Sequence, residues 1–167
     1  MKINFSCPVS GTQRDNNAVR VVAAETLLLA LGAIALALTA GSDWAAGLTG
    51  LLGLDFLVRA FLSPRFSPLA TVAKALVNAL GLPKKPVDAA PKVFAARIGV
   101  LFTVTATVLF LLGLATAGVV VLSILAVFAL LESAFSFCAG CWVHSLLPSS
   151  LGNALTRQFT VAQDATG

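Results

Sequence analysis

Charge is what this chain has least of. Only 11% of its 167 residues are Asp, Glu, Lys or Arg, against 58% that are hydrophobic. A soluble domain of ordinary composition carries about 25% charged residues, so a freely soluble globular domain is excluded. Also missing is an apolar h-region near the start. Residues 1–19 are polar, with Lys2, Arg14, Asp15, Asn16 and Asn17, so no cleavable signal peptide is expected and the first span directs insertion. No polyanion-binding motif accompanies the net charge of +4, and nucleic acid is not an expected partner. Nor is a soluble catalytic domain expected, so any chemistry should fall to a membrane domain.

What the chain does have is long apolar runs. A span needs about 20 mostly apolar residues, and four stretches qualify: 21–40, 45–62, 98–117 and 119–137. Runs of this length are too long for barrel strands, and only helices satisfy their own backbone without closing a sheet. The expected fold is therefore an all-α membrane protein, one integral domain over residues 1–167. Its four transmembrane helices form two tandem hairpins. The first turns at Gly41-Ser42-Asp43-Trp44, where Gly and Asp suit a turn and Trp the headgroup layer. The second turns at Gly118.

Neither hairpin tip carries a Lys or Arg. All eleven lie in the tails, in the 63–97 connection, or just inside the helices at those same ends. Positive residues are retained on the cytoplasmic side, so both termini and the middle connection are expected there. Within that connection Leu69, Val72, Ala73, Leu76, Val77 and Leu80 recur at helical spacing, with Thr71, Lys74 and Asn78 opposite. Pro68 suits a first turn and Gly81-Leu82-Pro83 a stop. A short amphipathic helix over 68–80 is expected. It either lies on the inner membrane surface or packs over the cytoplasmic end of the bundle. Lys84-Lys85-Pro86 is then a solvated linker.

Sliding the chain by 77 residues superposes Arg20 on Arg97, Thr26 on Thr103, Thr39-Ala40-Gly41 on Thr116-Ala117-Gly118, and Asp55 on Glu132. This register suggests an internal duplication with parallel hairpins related by a twofold along the membrane normal. It sets Cys138 and Cys141 against Phe61 and Pro64, so the thiols are an asymmetric addition.

Four charged residues fall inside the spans: Glu25, Asp55, Arg59 and Glu132. Such groups cost several kcal/mol in lipid and face a bundle interior or a cavity. Asp55 and Arg59, four apart, share a helix face and are expected to pair. Three acids against one base leave a carboxyl unmatched unless Arg20 or Arg97 reaches in. The cluster is read either as packing pairs or as a proton-handling cavity. Gly47, Gly50 and Gly53 mark close helix contact rather than chemistry. A monomer and a homo-oligomer both remain open.

The remaining chemistry is sulfur. Cys138-Ala-Gly-Cys141-Trp-Val-His144 follows the last span, and Cys7 lies in the N-terminal tail on the same side. The spacing brings two sulfurs within disulfide or metal-chelating reach. The reducing compartment argues against a permanent disulfide. Three readings stand: a dithiol that cycles or carries sulfur through Cys138 and Cys141 with Cys7 in support; a zinc site of Cys7, Cys138, Cys141 and His144, whose type and count suit tetrahedral coordination; or inert small residues. The first two differ on cofactor, none against zinc.

Cys7-Pro8-Val9-Ser10, Asn17-Ala18-Val19-Arg20, Asp55-Phe56-Leu57-Val58-Arg59-Ala60-Phe61, Ser67-Pro68-Leu69, the stretch from Lys92 to Gly99 with Phe94-Ala95-Ala96-Arg97, and Phe137-Cys138-Ala139-Gly140-Cys141 together resemble an uncharacterised bacterial membrane-protein family, domain of unknown function 4395. The likeness spans about residues 5–146. It implies a four-span inner-membrane protein without an assigned reaction. Relatives occurring beside thioredoxin-like or sulfurtransferase proteins imply such a partner, and with it thiol or sulfur handling. Many relatives carry an aromatic residue after the pair where this chain has His144, so a histidine-dependent metal site would not extend to the family.

Overall fold

The computed structural model describes residues 13–62, 66–83, 86–88 and 90–135. Its elements are β1 (Gln13–Asp15), α1 (Asn16–Thr39), α2 (Ser42–Leu57) running into a π-helical turn (Val58–Leu62), α3 (Pro68–Ala79), β2 (Pro86–Asp88), α4 (Ala90–Leu111) and α5 (Ala115–Phe135). Four of these helices are long and apolar enough to cross a membrane: Asn16–Thr39, Ser42–Leu62, Lys92–Leu111 and Ala115–Phe135. The fold is thus an all-α membrane bundle of two hairpins with a short fifth helix between them. Cys7, Cys138, Cys141 and His144, and the Lys84-Lys85 part of the linker, lie outside the described residues.

The bundle core is built from small residues and a few large ones. Ala30, Ala33, Ala45, Leu52, Ala106, Phe110 and Leu122 are almost completely buried. Small side chains let helix backbones approach closely, which is how spanning helices gain packing energy when lipid is as apolar as the core. The outer surface is Leu- and Val-rich: Leu28, Leu31, Leu51, Leu54, Leu101, Val104, Val108, Val120, Ile124 and Val127 all stand exposed. A soluble protein would not leave so continuous an apolar surface uncovered. Lipid covers it here.

The helix ends differ from the sequence reading in three places. The first span begins earlier, at Asn16, because Asp15 caps it: the Asp15 carboxylate accepts from the Asn17 N–H at 3.0 Å. α2 starts at Ser42 directly after Gly41, so Asp43 and Trp44 are not loop residues but its first turn. Asp43 there complements the positive end of the helix dipole. The second hairpin does not turn at Gly118. It turns at Gly113, whose φ of +76° only glycine adopts cheaply. Leu114 N–H bonds back to Leu109 and Gly113 N–H to Phe110, the Schellman pattern that ends a helix. Gly118 instead lies buried in α5 under the Phe110 ring, where a Cβ would come within 2.6 Å of a ring carbon.

This shift revises the duplication. The first hairpin's helices, 16–39 and 42–62, fall on 90–111 and 115–135 at an offset of 73 rather than 77. At that offset buried residues meet buried ones: Ala23 and Ala96, Thr26 and Gly99, Ala30 and Thr103, Ala33 and Ala106, Ala45 and Gly118, Thr49 and Leu122, Leu52 and Leu125, Phe56 and Ala129. Four residues is close to one helical turn, so the 77 register kept each residue on its face but at the wrong depth. The packing has the parallel twofold pattern. α1 packs chiefly against α5 and α2 chiefly against α4, while contacts within each hairpin are fewer and alike.

α3 packs against α1 through Ala70, Ala73 and Val77. Ser67 caps its start and Gly81, at φ +62°, ends it. β1 and β2 form a two-stranded antiparallel ribbon, Arg14 opposite Val87, which the sequence analysis did not anticipate. The ribbon and a hydrogen bond from the Asn17 side chain to the Pro83 carbonyl, 2.9 Å, tie the linker back to the start of α1.

Candidate functional site

The polar residues gather at the end of the bundle where α1 begins and α5 ends. Asp55 is the most enclosed, its side chain 3% exposed, and it ion-pairs with Arg59 at 2.6 Å one turn later. The spacing places both on one helix face, and the π-helical turn begins at Val58, beside them. The other carboxylate oxygen, Oδ1, accepts from the Ser67 hydroxyl at 2.6 Å and from the Leu69 N–H at 3.4 Å. Ser67 in turn accepts from the Ala70 N–H at 3.1 Å. The carboxylate therefore faces the N-terminus of α3, where unpaired amides and the helix dipole favour negative charge. Arg59 also lies over the Phe56 ring, 4.3 Å from its centroid, a cation–π contact.

Glu25 approaches from α1 and Glu132 from α5, both within electrostatic range of Arg59. Glu132 has its own partner, Lys92 Nζ at 2.7 Å. Both oxygens of Glu25 are shielded from solvent and lack a hydrogen bond among the described residues. The expected cluster of Glu25, Asp55, Arg59 and Glu132 is therefore brought together, and Lys92 supplies a second base. Arg20 does not reach in as a counter-ion. Its guanidinium donates to the Ser133 and Ala134 carbonyls at 2.9 and 3.2 Å and caps the last turn of α5. Arg97 stacks near the Phe61 ring, 5.3 Å from its centroid.

Ser67 and Lys92 are the two site residues that sequence reasoning missed. Ser67 carried a signal, since Ser before Pro68 is an N-cap followed by proline at the first helical position. Lys92 carried only its place in the family motif, because its pairing with Glu132 requires α4 and α5 to be docked. No group of three or more His, Cys, Asp or Glu placed to hold a metal occurs among the described residues. The four-ligand zinc set falls outside them.

Fold and site together define a four-span integral membrane protein with a charged cluster sunk into one end of its bundle. The chain belongs to the family described as domain of unknown function (DUF4395), whose model matches residues 15–148. The matched stretch contains Cys138, Cys141 and His144 and begins after Cys7. No curated protein and no solved structure matches the chain.

Proposed function

We propose that this is a thiol protein of the bacterial inner membrane, with both termini cytoplasmic, in which Cys138 and Cys141 exchange dithiol for disulfide or carry sulfur. The observation that carries the reading is Arg20 holding the Ser133 and Ala134 carbonyls near the described end of α5, a few residues before Cys138 in the chain. A helix C-terminus bears about half a negative charge, which opposes a neighbouring thiolate. A guanidinium bound there offsets it, and basic surroundings favour the thiolate that does the chemistry. In the exchange, one thiolate attacks a disulfide of a thioredoxin-like partner and the second resolves the mixed disulfide. The pair loses two electrons and two protons, and the partner's disulfide becomes two thiols. With a sulfurtransferase persulfide as donor, one cysteine thiolate instead attacks its outer sulfur, the donor's S–S bond breaks, and the sulfur passes across as a persulfide while the donor is left as a thiolate. On the sulfur-carrying route Cys7 serves as the resolving thiol, and His144 is a proton acceptor on either route.

Intact-mass analysis of the purified protein, with and without reductant, tests this. A two-hydrogen difference or a one-sulfur increment, lost in Cys138→Ser and Cys141→Ser, is the expected result. Cysteines that remain reduced and unmodified under mild oxidant and with sulfur donor would overturn it. Stoichiometric zinc, released by acid and lost when Cys7, Cys138, Cys141 or His144 is replaced, would put a metal site in its place. The orientation is tested separately. In a cysteine-free background, Ser42→Cys is labelled by an impermeant maleimide in intact cells and Lys85→Cys is not. The reverse pattern would refute cytoplasmic termini. A second reading, a small transporter, draws on the enclosed Glu25 carboxylate beside Asp55 and Glu132. Intramembrane carboxylates commonly mark ion or proton paths.

A further inference from the structure

α3 has three faces rather than two. At about 100° per residue, Ala70, Ala73 and Val77 cluster on one side and are buried against the bundle. Thr71, Lys74 and Asn78 lie about a quarter turn to one side of that face, and all three are exposed. Val72, Leu76 and Leu80 lie about a quarter turn to the other side, and they too are exposed, at 52%, 44% and 68%. The polar and apolar free faces are thus roughly half a turn apart, with the protein contact between them. A helix laid across the end of the bundle would direct its apolar row into the bundle and leave only the polar one free. This helix instead turns Ala70, Ala73 and Val77 to the protein and leaves Val72, Leu76 and Leu80 outward, with only Leu69 at the start of that row packed against the core.

We infer that α3 lies in the plane of the membrane surface beside the bundle, with Val72, Leu76 and Leu80 embedded in lipid and Thr71, Lys74 and Asn78 in water. The occupant of the apolar row is the acyl–headgroup boundary. Two observations select it over a protein partner. The segment leading into α3 already carries exposed Phe61, Leu62 and Phe66, so the row continues the lipid-facing surface of the second span. The polar row stands opposite it, which is the side that a helix lying flat in the boundary turns to water. Lys74 on that side keeps its ammonium in the headgroup layer. The hydrogen bonds from Ser67 and Leu69 to Asp55 fix the depth of the helix by pinning its start to a carboxylate inside the second span.

The test uses the full chain with Cys7, Cys138 and Cys141 replaced by Ser, reconstituted in phosphatidylethanolamine–phosphatidylglycerol vesicles. Single cysteines at Val72, Leu76, Lys74 and Asn78 carry a bimane fluorophore; all four positions are exposed, so the fold is retained. Quenching by nitroxide-labelled lipid should exceed quenching by aqueous iodide several-fold at Val72 and Leu76, with the order reversed at Lys74 and Asn78. Equal iodide access at all four positions would overturn the inference. So would protection of Leu76→Cys from both quenchers together with its cross-linking between copies, which would assign the row to a second copy of the chain.

Discussion

Gly99 is where a single methyl group should do most damage. A Cβ at this position would collide with Cε1 of Phe56 and lie 2.5 Å from Cδ1. Unstrained carbon contacts fall at about 3.5–4.0 Å, so the Phe56 ring must retreat by more than about 1 Å. It has little freedom to do so. Phe56 is 7% exposed and carries the Arg59 guanidinium 4.3 Å from its centroid, so a ring that moves takes the Asp55–Arg59 pair with it. Overpacking of a filled core costs about 1–3 kcal/mol, against a helix-propensity gain from Gly to Ala of up to about 1 kcal/mol. The control is Gly47→Ala, at an exposed position where nothing lies within 4 Å of the new Cβ, so only the propensity gain applies. Unfolding by SDS titration in mixed micelles, followed by far-UV circular dichroism, measures both. Gly99→Ala should fall below Gly47→Ala by about 1–3 kcal/mol, and Phe56→Leu should restore part of the loss in the double variant. Equal stability of the two alanine variants would refute the close packing of α2 on α4 that the reasoning rests on.

The same assay reaches the polar cluster. Arg59→Met leaves Asp55 enclosed without its counter-ion and should cost about 3–5 kcal/mol; Asp55→Asn combined with it should cost less than the single change, and additive losses would mean that the two act separately. Ser67→Ala removes both the cap of α3 and a hydrogen bond to Asp55, for an expected loss of about 1–2 kcal/mol. Ser67→Asp, which restores the cap but places a second carboxylate beside Asp55, should not rescue it; full rescue would reduce Ser67 to a cap alone.

The spans were legible because a bilayer demands about 20 apolar residues in a row, a signal that survives without any knowledge of contacts. The Asp55–Arg59 pair was legible from its four-residue spacing, and α3 from Pro68 and Gly81 at its ends. The second tip was not. Gly113 and Gly118 are both glycines in a run of small and apolar residues, and local sequence cannot say which one turns. The decision rests on Phe110, whose ring needs the space over Gly118. The ribbon was hidden for a similar reason, since strands of three residues joined across more than seventy positions carry no periodicity. Lys92 with Glu132, and Arg20 with the end of α5, are likewise products of docking. Each joins residues forty or more positions apart in the chain.

The revised repeat register also changes what the charges do. At the 77 offset Asp55 would fall on Glu132, placing like charges at equivalent positions. At 73 it is Arg59 that falls on Glu132, and positions exchanged by the twofold then carry opposite charges within electrostatic range of one another. Arg59 is thereby shared: it ion-pairs with Asp55 and attracts both Glu132 and Glu25. Lys92 relieves the competition by taking Glu132, in a pair whose side chains are 10% and 19% exposed. This predicts an order of costs. Lys92→Met leaves Glu132 with Arg59 still in range and with partial access to solvent, so its loss should stay near about 1 kcal/mol, the upper range for a partly screened pair. Arg59→Met leaves Asp55 with only the Ser67 hydroxyl and the Leu69 amide, and should cost several times more. Measured side by side in one detergent, the reverse order would show that Lys92, not Arg59, anchors the charge at this end of the bundle.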